Sequence, residues 1–209
     1  PAAPPALLLM PDDFAPHAGP AFKVGGKHVL DAIALDLQRR RDQFVVHCPR
    51  FGHRHQAGHL LVGIERPVGR LQQLGERVHT YVCDTSDPLA RRTMVAALCE
   101  RTGGRLDGLV VNAAMYAYTP LLDEDDDHLL EYFRVNTLPA FALVKLCRPL
   151  LLAGEGRSVL FVSSILATRP VPGVGAYAAS KAAMTSLAKS FALELAPERL
   201  RVNVLLPGV

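Results

Sequence analysis

Tyr177 and Lys181 stand four residues apart in a stretch, about Ala176–Ala196, where Ala and Leu recur with helical spacing. On a helix that spacing puts both side chains on one face. A phenol with an ordinary pKa of ~10 is a poor proton donor or base near neutrality. An ammonium one turn away favours the phenolate and lowers that pKa, so the pair reads as a general acid/base. Ser164, thirteen residues before Tyr177, closes an apolar run and offers a hydroxyl that can bind a carbonyl oxygen. The competing reading is a solvated helix face or a packing tyrosine. Five tyrosines, five lysines and seven serines in 209 residues would give this spacing by chance in roughly 0.004 of such chains, which favours the chemical reading.

A trio of this kind needs a strand tip and a helix start brought together. The continuous apolar runs Phe44–Cys48, Val78–Cys83, Leu106–Asn112, Ser158–Ser163 and Leu200–Leu206 read as strands buried on both faces. A weaker strand precedes them, either Ala21–Val24 or Ala6–Met10 with Pro11–Pro20 as an inserted loop. Helical patterning covers about Val29–Arg40, Asp87–Arg101 with Ser86 as N-cap and Pro88 in the first turn, Leu122–Leu152 interrupted near Asn136 and Pro139, and Ala176–Ala196. Strict alternation of strand and helix predicts one α/β domain over 1–209, with a doubly wound parallel sheet, right-handed crossovers and a Pro-rich start over 1–20. In such sheets ligands bind beyond the carboxyl ends of the strands. Chemistry is therefore expected at Cys48–Arg50, Asp84, Asn112–Ala114, Ser163-Ser164 and Pro207-Gly208.

Composition narrows the classes of function. Hydrophobic residues make up 49% and charged residues 21% of the chain, which argues against disorder. A net charge of +3 is too mild to imply nucleic acid. No apolar run reaches the ~18 residues of a membrane span, so no membrane partner is expected. Leu7–Met10 lacks the preceding basic stretch of a secretory signal. The cysteines Cys48, Cys83, Cys99 and Cys147 have no CxxC spacing and read as reduced thiols of a cytoplasmic protein. His53, Arg54, His55 and His59 cluster in a basic loop, Arg50–Gly75, without a carboxylate or cysteine at ligand spacing, so no metal site is expected there.

These features resemble the short-chain dehydrogenase/reductase family. The matching text is Leu109-Val110-Val111-Asn112-Ala113-Ala114, then Val135-Asn136, Val162-Ser163-Ser164, Tyr177-Ala178-Ala179-Ser180-Lys181, Arg201-Val202-Asn203 and Pro207-Gly208, with Cys83–Asp87 similar to the family's acidic turn. The resemblance covers about Arg77–Gly208 densely and Ala32–Cys48 more weakly. It implies a Rossmann-like domain in which Tyr177 donates a proton to the carbonyl oxygen in the reductive direction. Lys181 would lower the Tyr177 pKa and bind the nicotinamide ribose, Ser164 would orient the carbonyl, and Asn136 would kink its helix and hold a water in the proton relay. Asp84 would approach the adenine, Asn112 with Ala113 the adenosine ribose, and Pro207-Gly208 would turn beside the nicotinamide. The resemblance also implies a homodimer or homotetramer paired through the helices 122–152 and 176–196.

Two departures stand out. The family's glycine-rich turn should place glycines near 24, 28 and 30, where this chain has Val24, His28 and Leu30, with only Gly25 and Gly26 nearby. Val is a poor choice where the backbone needs a positive φ. Lys27 and His28 are the cationic substitutes within reach of a pyrophosphate. The sequence also stops at Val209, where the family continues into a substrate-covering segment and one more strand, so the sheet is expected to lack that final strand. The run His47-Cys48-Pro49-Arg50 has no acid to accept from a ribose 2′-hydroxyl. Arg50, with Arg54, suits a 2′-phosphate instead, which favours NADP(H) over NAD. Tyr116 and Tyr118, just past the fourth strand, are the candidate substrate contacts, faintly similar to the pteridine-reductase branch. The text also resembles general carbonyl and oxoacyl reductases. The expectation is thus an NADP(H)-dependent reductase of a ketone or aldehyde, with no metal. The competing one is a catalytically impaired relative serving as oligomer partner or scaffold.

Overall fold

The computed structural model describes residues 43–47 and 78–208. Its elements, in chain order, are β1 (Gln43–His47), β2 (Val78–Val82), α1 (Pro88–Thr102), β3 (Gly108–Val111), α2 (Asp126–Tyr132), α3 (Leu138–Ala153), β4 (Ser158–Val162), α4 (Gly175–Leu195) and β5 (Arg201–Leu205). Every strand pairing is parallel. β1 runs beside β2, and β4 lies between β3 and β5 with Phe161 level with Val111 on one side and Val204 on the other. The two candidates for an earlier strand, the helix Val29–Arg40, and Val24, Lys27, His28, Leu30, Arg50 and the histidines of 53–59 lie outside the described residues.

The parallel α/β architecture expected from alternation is the one observed; β1 is shifted one residue toward the N-terminus of its apolar run, and the other strands lie within theirs, one to three residues shorter. The burial of the strands departs from expectation. Val110 is 40% exposed and β5 is at best half-buried along its length. Among the described residues, β3 and β5 are the edges of the three-stranded sheet. The core gathers Cys83 after β2, Met94 and Val95 of α1, Val111, Val159 and Phe161 of the strands, Leu143, Val144, Cys147 and Leu151 of α3, and Met184 and Ala188 of α4.

Capping explains the helix limits. The N-cap of α1 is Asp87 rather than Ser86: Asp87 Oδ1 accepts from Leu89 N at 2.8 Å. Ser86 is otherwise engaged, donating through N and Oγ to Asp84 Oδ1 at 2.9 and 2.6 Å. Pro88 at the first position donates nothing the helix needs, and Gly103 closes it at φ 61°. The expected interruption near Asn136 is a π turn over Phe133–Thr137 between α2 and α3. Leu138 N bonds back to Phe133 O, and Pro139, without an N–H, follows directly. The helical run 126–153 is long and apolar enough on average to cross a membrane, although charged residues break it into shorter apolar runs; 56% of its apolar window is buried within this fold, as in a core helix.

Candidate active site

Ser164 is set by the sheet. Beyond β4, Ser163 N donates to Leu205 O at 2.8 Å and Ile165 N to Pro207 O at 2.9 Å, continuing the strand pattern. Ser164 sits extended between these bonds, 8% exposed, and its Oγ accepts from Leu166 N at 3.2 Å. Tyr177 lies in the first turn of α4, with its hydroxyl near enough to the Ser164 side chain for that neighbour to favour the phenolate. The strand tip and helix start therefore meet.

Lys181, one turn further, is 2% exposed and donates from Nζ to Val162 O at 2.8 Å. Its Nζ stands 5.9 Å from the Tyr177 ring centroid. The expectation that this ammonium lowers the phenol is corrected. Burial pushes Tyr177 above its ordinary value, only partly opposed by nearby Ser164. Burial also lowers Lys181 to about 8. Desolvation disfavours the charged form of each group, and it is the first cause of both shifts.

Asn136 sits in the π turn, 1% exposed. Its Oδ1 accepts from Met115 N at 2.6 Å, and its Nδ2 donates to Met115 O at 3.1 Å and to Ser180 Oγ at 2.8 Å. It therefore links the segment after β3 to α4. Tyr116, next to Met115, sets its ring edge-on to Tyr177, centroids 5.0 Å apart at 80°. Tyr118 lies over Gly173, whose φ of 81° and missing Cβ make room for the ring, and Thr119 N donates to Gly173 O at 2.7 Å. Asn112 and Ala113, half-buried, follow β3. Pro207-Gly208 follows β5 at the same end of the sheet. Asp84 follows β2 and closes its turn on Ser86. Lys27 and Arg50 lie outside the described residues.

The sequence reading missed several supporting groups. Ser180, fully buried, accepts from Asn136 and donates to Tyr177 O at 2.7 Å. Thr137 Oγ1 donates to Ser180 O at 3.0 Å. Ser163 Oγ donates to Lys181 O at 3.1 Å and lies 2.7 Å from Thr185 Oγ1. Ser180 lies within the Tyr177–Lys181 text, so its position was a usable signal. The Thr137 and Thr185 contacts had none, because they join residues far apart in the chain or hidden in a helix face.

A parallel α/β sheet with polar groups gathered beyond the strand ends defines a Rossmann-like protein. The comparisons make the assignment narrower. A family model described as short chain dehydrogenase matches residues 59–209. Dehydrogenase/reductase SDR family member 4 of Sus scrofa is 33% identical over 180 residues, 86% of this chain and 62% of that protein. The Homo sapiens form is 32% identical with the same coverage. Acetoin dehydrogenase from Enterobacter cloacae superimposes with a TM-score of 0.59 at 30% identity, covering 66% of this chain and 55% of that one. The chain belongs to the short-chain dehydrogenase/reductase family. It spans 62% of the length of the mammalian relatives.

Proposed function

We propose that this protein is an NADP(H)-dependent oxidoreductase that interconverts a ketone or aldehyde with its alcohol. The observation that carries the reading is the nearness of the Tyr177 phenol to buried Ser164, with the Lys181 ammonium one turn away, at the carboxyl end of a parallel sheet. The family relation and the relatives' names, dehydrogenase/reductase among them, support it.

The residues present fit a nicotinamide cofactor. An ammonium has three donors, and Lys181, 2% exposed, gives one to Val162 O. A hydroxylated neighbour such as a ribose suits the remaining donors. Lys181 and Tyr177 would hold that ribose, Asp84, Asn112 and Ala113 the adenosine side, and Pro207-Gly208 the nicotinamide side. Lys27 and Arg50 would bind its phosphates, Arg50 favouring the 2′-phosphate of NADP over NAD. When bound, the cofactor supplies the hydride. The chain's own part is proton transfer and orientation. Tyr177 gives the carbonyl oxygen its proton in reduction and takes it back in oxidation. Ser164 donates to the same oxygen as charge develops on it. Asn136 holds Met115 and Ser180, and so fixes the wall opposite Tyr177.

Tyr116 beside Tyr177, with exposed Tyr118 against Gly173 and exposed Leu121 against Gly175, suits a substrate with an apolar or planar body. For partners, the groove between α3 and α4 lined by Phe141, Leu187 and Phe191, with exposed Leu138 and Leu193 nearby in sequence, supports a homodimer or homotetramer. The buried Cys147 thiol suits a reducing compartment, the cytoplasm.

The test is a fluorescence titration with NADPH and NADH, followed by turnover on a panel of ketones and aldehydes. Saturable NADPH binding with turnover that Tyr177→Phe abolishes is the expected result. No binding of either nucleotide at millimolar concentration overturns the reading.

A further inference from the structure

Tyr132, the last residue of α2, is 1% exposed and among the largest fully buried side chains of the described residues. A buried phenol usually finds a partner for its O–H. Here the hydroxyl donates to Ala117 O at 3.4 Å. The other side of the ring meets the His128 ring, centroids 5.1 Å apart, and His128 Nδ1 lies 2.7 Å from Glu124 Oε2. The Glu124 side chain is itself 5% exposed. Tyr132 is thus flanked by His128 of its own helix, itself paired with Glu124 just before that helix, and its hydroxyl reaches the segment that follows β3.

The anchoring of that segment has a period of two. Met115 is held through both its N–H and its carbonyl by Asn136. Ala117 is held through its carbonyl by Tyr132. Thr119 is held through its N–H by Gly173 O. An extended chain anchored at every second residue leaves the intervening side chains as a set of their own. Those are Tyr116, edge-on to Tyr177, and Tyr118, over Gly173.

We propose that Tyr132 is a positioning residue: its hydroxyl holds the middle of the 115–119 segment and so sets where Tyr116 stands against Tyr177. The substrate consequence rests on the function proposed above, because Tyr116 is there taken to touch substrate. The anchoring itself does not rest on it. Burial, with Glu124 second and opposed by the Ala117 bond, pushes the Tyr132 phenol up to about 12, so it stays a donor across any working pH.

Tyr132→Phe keeps the ring and removes the donor. Hydrogen exchange of the Ala117–Thr119 amides is expected to speed up about threefold or more, the scale of one neutral hydrogen bond, with exchange in β4 and α4 unchanged. On a turned-over carbonyl, KM is expected to rise by a similar factor, with kcat within about twofold and NADPH affinity unaltered. A role in packing alone predicts wild-type behaviour for Tyr132→Phe and damage only in Tyr132→Leu. Should Tyr132→Phe fail to fold, 3-fluorotyrosine at 132, a more acidic donor, is expected to slow the same exchange. Unchanged exchange in the variant that folds overturns the proposal. If the wild type turns over no carbonyl, the proposed function fails while the exchange measurement still decides on Tyr132.

Discussion

Burial acts on Tyr177 and Lys181 in opposite senses, raising the phenol and lowering the ammonium to about 8. On the proposed reaction, Tyr177 keeps its proton through neutrality, and the first group to titrate on the alkaline side is Lys181. The kcat/KM for reduction is expected to fall as pH rises past about 8, and Lys181→Arg, which stays charged, to move that break upward in its remaining activity. A rate series from pH 6 to 10 checks both. The same burial bears on stability. Because the folded value lies below the ordinary 10.5, the unfolded chain binds more protons between the two, and stability rises with pH across that window. Below it the cost of a buried ammonium is complete, at most about 3 kcal/mol from the size of the displacement. Lys181→Met is therefore expected to raise the thermal midpoint by a few degrees at pH 7, offset in part by the orphaned Val162 carbonyl. Most of the gain should be gone by pH 10, and turnover should be lost. Calorimetry at the two pH values reads the difference.

At the scale of elements, glycine makes two close connections possible, one at the site and one in the scaffold. Gly173 has φ 81° and carries the Tyr118 ring where a Cβ would stand. Gly173→Ala combines a strained backbone with a displaced ring, and a loss of about 1–3 kcal/mol is expected, together with a raised KM. Urea unfolding with steady-state kinetics measures both. Gly154, just past α3, packs against the backbone of Leu106 and Asp107. A Cβ there meets main chain that cannot step aside, so Gly154→Ala is expected to destabilise without a specific effect on KM. The contrast separates a glycine that shapes the site from one that shapes the scaffold. Much of this level was legible beforehand. Apolar runs bounded by polar residues located the strands, and Asn136 with Pro139 marked the break between α2 and α3. The choice of Asp87 over Ser86 as N-cap was not, because it turns on Ser86 being taken by Asp84.

At the scale of the whole molecule, the proposed pairing of copies would use the outer face of α3 and α4. Phe141 and Phe191 stack at 5.9 Å beside the groove, and Leu193 is 79% exposed. If this face joins copies of the chain, Leu193→Glu is expected to shift the protein toward monomer with little change in secondary structure. Light scattering after size exclusion, with circular dichroism as the control, gives the answer. An unchanged oligomer would place the interface elsewhere.

Spacing alone established that Tyr177 and Lys181 share a helix face, that Ser164 ends a strand, and that strand and helix alternate in a parallel α/β fold. These are local properties, since the geometry of one turn or one pleat follows from neighbouring residues. Only the tertiary structure decided that Tyr177 and Lys181 are shifted by desolvation rather than by each other. It alone brought Asn136 to Met115 and Ser180, and Tyr132 to Ala117. Burial and hydrogen bonds across 15 to 44 residues depend on how every layer packs, and no short stretch of chain encodes that sum.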